Sequence, residues 1–238
     1  MSVKLIAFDL DGTLTQHKTP LEPANRAVLE RLRQKYRLLM VGAGGVRRIF
    51  NQLGGFPMDI IGNYGLQEGR YDPAAGDIVL VRDVTLDCDR EAVDRRMTSL
   101  RQRFGYTEYA GENVEFHPSG CVTLPMLGTR AQAADKLAFD PDRSKRRRLL
   151  PAVQEAFPEY TAFVGGSSSF DLAPRPYDKY FALSRYCDEH GIAHDEVVYC
   201  GDDYGPGGND ACVCHAGIRF FRVDDYRCFG AAVAELLK

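Results

Sequence analysis

Short apolar runs alternate with helix-spaced segments at the start of the chain, and no other property limits its fold as strongly. "VKLIAFDL" reads as a buried strand. "ANRAVLERLRQKY" then places Ala24, Ala27, Val28, Leu29 and Leu32 near one helical face, and "RLLMVGAGG" returns to a buried strand broken by glycines. A helical "VRRIFNQLG" and a third strand at "MDIIGNYG" follow, so the opening is β-α-β-α-β. Strands spaced by helices build a parallel sheet with right-handed crossovers. Such a sheet collects its ligand in the loops at the carboxyl ends of its strands.

From about Val81 the texture changes. "DVTLDCDREAVDRRMTSLRQRFG" reads as one polar helix, "NVEFHPSGCVTLPML" as alternating strands, "DRSKRRRLLPAVQEAF" as a helix and "YTAFVGGSSSFDLAP" as a hairpin. After Pro176 the first grammar resumes with a helix in "DKYFALSRYCDEHG", a strand in "EVVYCGDD", a loop "YGPGGND", a strand in "GIRFFRV" and a terminal helix "CFGAAVAELLK". The expected architecture is α/β: a Rossmann-like, doubly wound parallel sheet formed by residues 1–81 and 175–238, with an inserted α+β domain over 82–174. At 238 residues and 45% hydrophobic content the chain has material for both.

The formal charge of -3 supplies no basic field for nucleic acid or an anionic membrane, which favours a small-molecule partner. No stretch reaches the roughly 18 apolar residues of a membrane span, and the opening lacks a cleavage pattern, so the expected location is cytoplasmic. Seven cysteines without CxxC spacing read as reduced thiols.

Packing gives no reason for "FDLDGTL" to end an apolar run with Asp9 and Asp11, one residue apart, followed by glycine and a hydroxyl. "YCGDDYGPGGNDAC" adds Asp202 and, eight positions on, Asp210, while "PYDKYFAL" sets Lys179 at a helix start, where the helix dipole disfavours a cation. Together these segments resemble motifs I, IV and III of the haloacid dehalogenase-like phosphotransferases. "GGSSSFDLAPRPYDK" and "PGGND" resemble the eukaryotic-type phosphomannomutase group within that superfamily. Motif II departs from the pattern: "MVGAGG" offers Gly42, Ala43 and Gly44 where most members place Ser or Thr. Their amides would donate to a phosphate, or the glycines serve only close packing of the next helix.

The resemblance implies a C2-type cap for the insert and a Mg²⁺ ion held by Asp9, the Asp11 carbonyl and one or both of Asp202 and Asp210. Four acids at one sheet edge would otherwise repel one another. It also implies Asp9 as nucleophile, Asp11 as acid and base, Lys179 as neutralising cation, and Ser169 and Asp171 as sugar contacts. The relatives clamp a second phosphate with arginines from Arg-Asn-Gly and Pro-Ile-Gly-Arg segments; here His117, Pro118, Ser119 and Gly120 stand at the first, and Arg130 is shifted in register at the second. The expected activity is therefore a phosphatase acting on a small phosphorylated metabolite, with phosphomannomutase as the alternative and a silent phosphosugar-binding protein behind both. The run Arg143 to Arg148 reads as a solvated helix face, His117 as a surface residue, and the cap as a possible homodimer surface.

Overall fold

The computed structural model describes residues 2–238, which separate into two units. The first contains the stretch ending at Val84 together with Asp178–Gly205 and Asp210–Lys238; the second contains Thr85–Tyr177 and Pro206–Asn209.

In the first unit the opening alternation becomes β1 (Leu5–Phe8), α1 (Pro23–Arg33), β2 (Arg37–Val41), α2 (Val46–Gln52) and β3 (Asp59–Gly62). A hairpin of β4 (Gln67–Asp72) and β5 (Asp77–Asp83) follows. In the second unit lie α3 (Arg90–Phe104), β6 (Glu115–Phe116), β7 (Val122–Pro125), α4 (Ala133–Phe139), α5 (Ser144–Ala156), β8 (Tyr160–Phe163) and β9 (Ser169–Pro174). The chain then completes the first unit with α6 (Lys179–His190), β10 (Val197–Gly201), α7 (Ala211–His215), β11 (Arg219–Arg222) and α8 (Phe229–Ala232).

The first unit is built on a seven-stranded sheet of order β11-β10-β1-β2-β3-β4-β5. Its pairings are parallel from β11 to β3 and antiparallel through the hairpin. β1 is apolar at every position because both its faces are covered. Ile6 and Phe8 join one buried cluster with Leu29, Met40, Ile49 and Phe229, while Leu5 and Ala7 join another with Leu39, Leu183, Tyr186 and Tyr199. Truncating Phe8, which has no exposed surface, would cost about 3–5 kcal/mol. The second unit has its own antiparallel sheet, β6-β7-β9-β8. One side of that sheet buries Val122, Leu124, Phe170 and Leu172 against Val93 and Met97 of α3 and Leu150 and Val153 of α5.

Besides the short helices α4 and α7, which the sequence reading does not contain, three elements differ from the sequence expectation. The hairpin β4–β5 was not anticipated, because its hydropathy pattern is masked by charges that pair: Glu68 lies opposite Arg82 across the strands and is fully buried, with Arg70 also on its carboxylate. The polar helix begins later than expected, at Arg90, where the Asp89 carboxylate accepts from the Ala92 N–H at 3.0 Å and caps it. The terminal helix is only the four residues of α8, since Val233 leaves helical geometry and a 3-10 turn, Ala234–Leu237, ends the chain.

Candidate active site

β1 and β10 run side by side with Phe8 opposite Cys200, and the Asp9 N–H donates to the Cys200 carbonyl at 2.9 Å as the chain leaves the sheet. Asp9 therefore emerges beside Asp202, which follows Gly201 at the end of β10. A carboxylate oxygen from each of Asp9, Asp202 and Asp210 lies within 4.8 Å of the others. Lys179 is fixed by its helix: the Asp178 side chain caps α6 by accepting from the Phe181 N–H at 2.7 Å, and Lys179 is the first residue inside. Its Nζ donates to Asp9 Oδ1 at 2.5 Å and to Asp210 Oδ1 at 2.8 Å, with no exposed surface. Two carboxylates thus offset the unfavourable position at the helix start.

Asp210 is the most constrained of the acids. Oδ1 also accepts from the Tyr199 hydroxyl at 2.7 Å, and Oδ2 accepts from the Asp203 N–H at 3.0 Å. A Cβ on Gly201 would sit 2.6 Å from Asp210 Oδ2, so a side chain there would displace the carboxylate. Gly12 has φ +103°, and a Cβ on it would lie 2.6 Å from the Asp202 carboxylate, which accepts from the Thr13 hydroxyl at 3.2 Å.

Burial pushes the Asp9 carboxyl well above the ordinary carboxylate range; Lys179 opposes this, and the charges of Asp210 and Asp202 add to it. Burial alone would pull the Lys179 ammonium down, but Asp210 and Asp9 together lift it above the usual lysine range. Three acids around one ammonium leave an excess of negative charge, and their hard oxygen donors fit Mg²⁺.

The Asp11 side chain lies outside this cluster. It is half-buried, and its Oδ1 accepts from the Lys18 N–H at 2.8 Å and from Gln52 Nε2 at 2.7 Å. His17 Nδ1 and Arg48 Nη1 stand 3.7 and 3.8 Å from the other oxygen, Oδ2.

The glycine loop after β2 divides between the two roles expected of it. The Gly42 N–H continues the sheet ladder by donating to the Ile61 carbonyl at 2.9 Å, so it is not available to a phosphate, and a Cβ on Gly42 would meet Ile49 at 2.8 Å. Packing therefore explains Gly42. The amides of Ala43 and Gly44 have no protein acceptor among the described residues. Gly44 also makes room for a cation, since a Cβ there would lie 1.9 Å from Arg48 Nη2.

In the second unit, Ser169 and Asp171 share one face of β9, two residues apart. Asp171 accepts from the Thr123 hydroxyl at 3.1 Å, and Thr123 Oγ1 is 3.0 Å from His117 Nε2. His117 is thus tied into the sheet, contrary to its reading as a loose surface residue. Arg130 is exposed. The basic run is not uniformly solvated either: Arg146 has no exposed surface and donates to Asp140 Oδ2 at 2.9 Å and to the carbonyls of Gly165, Gly166 and Ser169.

Compared with known proteins, residues 84–218, more than half of the chain, match the pattern of the family described as eukaryotic phosphomannomutase. The chain belongs to the eukaryotic phosphomannomutase family. A probable phosphomannomutase of Caenorhabditis elegans is 25% identical over 222 residues, covering 87% of this chain and 84% of the relative. The phosphomannomutase of Saccharomyces cerevisiae is 26% identical over 215 residues, covering 87% and 83%. Among solved structures, IMP-bound IMP-nucleotidase of Plasmodium falciparum superposes with a TM-score of 0.74 at 12% identity, covering 99% of this chain and 68% of that one. A phosphatase of the haloalkanoate superfamily from Bacteroides thetaiotaomicron gives 0.62 at 17% identity, covering 99% and 95%. Those structures share the fold of this phosphomannomutase-family chain.

Among the residues of the first unit that touch its charged groups, sequence reasoning passed over Tyr199, Arg48 and Gln52, as well as His17, Lys18 and Asp203. Arg48 and Gln52 are four apart on α2, a spacing that already places them on one face. Tyr199 carried a weaker signal, as the one hydroxyl in an otherwise apolar strand before Asp202.

Proposed function

We propose that the chain is a Mg²⁺-dependent phosphatase of a small phosphorylated metabolite, a sugar phosphate being the expected class, working through an aspartyl-phosphate. The observation that carries the proposal is the division of labour among the acids. Asp9 is buried beside Lys179 with Asp202 and Asp210 close by, while Asp11, two residues on, is held apart with its own partners.

An Asp9 oxygen attacks phosphorus, the ester P–O bond breaks, and its electron pair stays on the leaving oxygen, which takes a proton from Asp11. In the second step a water oxygen attacks the phosphoryl group, the water's proton returns to Asp11, and the electrons of the Asp9–phosphorus bond return to the carboxylate. Lys179 keeps Asp9 in place and offsets charge that gathers near it. Asp9, Asp202 and the Asp11 carbonyl would hold the ion; Asp210, whose oxygens already accept three hydrogen bonds, would shape the site behind them. Bound magnesium would supply charge neutralisation for the phosphoryl oxygens.

The second unit favours hydrolysis over phosphate exchange within a bound sugar. A mutase needs an anion clamp for a second phosphate, and two arginine forks of the second unit are spent internally here, which leaves the exposed and register-shifted Arg130 as the clamp arginine that the resemblance would supply. Arg146 is taken up by Asp140 and backbone carbonyls, and the buried Arg101 by Asn113 and the carbonyls of Pro125 and Met126. Phosphomannomutase remains the second reading, favoured by the family match and by relatives that carry that name. A panel of phosphorylated metabolites assayed with Mg²⁺, scored for phosphate release and for isomer formation with a catalytic amount of hexose bisphosphate, tests the proposal. Isomer formation without phosphate release would overturn it.

A further inference from the structure

Asp11 meets its surroundings unevenly. One oxygen, Oδ1, accepts two hydrogen bonds, from Lys18 N–H and from Gln52 Nε2, while Oδ2 has cationic groups near it but none within hydrogen-bond distance. The Gln52 amide could in principle face either way, and its other contacts fix the choice. Its Oε1 accepts from Arg48 Nη1 at 2.9 Å, and its Nε2 also reaches Thr15 Oγ1 at 3.0 Å. Arg48 has no acceptor atom, so it can bind only the amide oxygen, which turns the NH₂ group toward Asp11. Both side chains are anchored on α2, a rigid element whose Ile49 and Phe50 are buried in the core.

We propose that Gln52, oriented by Arg48, is a positioning residue for Asp11: it holds Oδ1 so that Oδ2 is the oxygen presented to the reacting ester. The inference rests on the reading of Asp11 as the group that gives a proton to the leaving oxygen. At that step its consequence depends on the leaving group. An alkoxide leaving group needs the proton as the P–O bond breaks, whereas p-nitrophenolate departs without it. Misplacing Asp11 therefore slows phosphoenzyme formation from the first class of substrate and largely spares it from the second, while the later attack of water, in which Asp11 takes a proton, is slowed alike for both.

The test measures the single-turnover rate of phosphoenzyme formation, by acid quench, and its half-saturating concentration for p-nitrophenyl phosphate and for a primary alkyl phosphate, glycerol phosphate, with Mg²⁺ present. Gln52→Leu and Gln52→Glu are compared with the unaltered enzyme. Glu keeps the size of Gln and its contact with Arg48 but sets an acceptor against an acceptor at Asp11, so a folding defect in the Leu variant does not leave the matter open. A displacement of about 1 Å costs about 10²-fold. The expected result is a fall of about that size in the rate of phosphoenzyme formation from glycerol phosphate, with less than about threefold change in that rate for p-nitrophenyl phosphate and little change in the half-saturating concentration. Arg48→Met should show the same selectivity at about a tenth of the size, because the freed amide can flip. Equal losses on both substrates, or none on either, would overturn the role of Gln52. Asp11→Asn separates the two layers: if it too shows no leaving-group selectivity, the reading of Asp11 has failed, and if it is selective while Gln52→Glu is not, only the positioning role has failed.

Discussion

Lys179→Met isolates the electrostatics of the site. The ammonium has no exposed surface and bonds to both Asp9 and Asp210, and methionine fills similar volume without charge. Removing it leaves carboxylates whose oxygens lie within 4.8 Å of one another; two unit charges at that separation repel by about 3.5 kcal/mol in an effective dielectric of about 20. Independent experience with buried pairs broken at one partner gives about 3–5 kcal/mol, so the two routes agree. Proton uptake by Asp9, already raised by burial, sets the ceiling on the loss. The assay is urea unfolding of both proteins at neutral pH in chelator, with the denaturant slopes compared to verify that the same transition is followed. Mg²⁺ should then restore part of the stability, about 2.7 kcal/mol at a hundredfold excess over its Kd, because the ion binds only the folded site. A loss below about 1 kcal/mol in chelator would refute the reasoning, since the acids would not have needed the lysine. The sign of the pH dependence follows from the raised Lys179 pKa. Its contribution is fully present below the unfolded lysine value of about 10.4 and is lost only as pH rises beyond it, so no basic limb from this group should appear near neutrality.

Asp11→Asn should slow turnover of an alkyl phosphate by about 10²- to 10⁴-fold in steady-state assays, and Asp9→Asn should abolish the hydroxylamine-labile phosphoenzyme seen by acid quench. Arg146→Met should destabilise the second unit by about 3–5 kcal/mol in chemical denaturation, because it strands the buried Asp140 and three carbonyls. For Asp140, burial works against the charged form, but the N–H and guanidinium donors of Arg146 and the Lys145 N–H outweigh it and lower the carboxyl below its ordinary range. The resulting stability is present above the unfolded carboxyl value of about 3.9 and should fade as an acid titration falls through the lowered one, and its persistence to the lowest pH reached would count against the pairing. Tyr199→Phe removes a donor to Asp210 and should cost about 1.5–3 kcal/mol, with weaker Mg²⁺ binding by calorimetry.

The sequence displayed most of the first unit because a parallel sheet covered on both faces needs unbroken apolar strands, and β1, β2, β3 and β10 have them. Asp9, Asp202, Asp210 and Lys179 were legible for a related reason: charge at the end of such a strand, or at the start of a helix, stands out against its surroundings. The β4–β5 hairpin was not legible, since Glu68, Arg70 and Arg82 resemble solvated residues until their partners are known. Arg146 misled in the same way, one buried arginine within a run of basic neighbours. Gln52 was silent because a neutral amide on a helix acquires meaning only from what stands opposite it.

Strand β1 of the first sheet lies between a neighbour made early, β2, and one made late, β10. While the protein is being synthesised, β1 has an unpaired side until β10 has been made, and Asp9 waits for Asp202 and Asp210, which follow that strand. A nascent or clipped chain that stops before that point should lack the three-acid cluster and be prone to sticking to other chains, so the cluster is assembled only once β10 and the loop after it are in place.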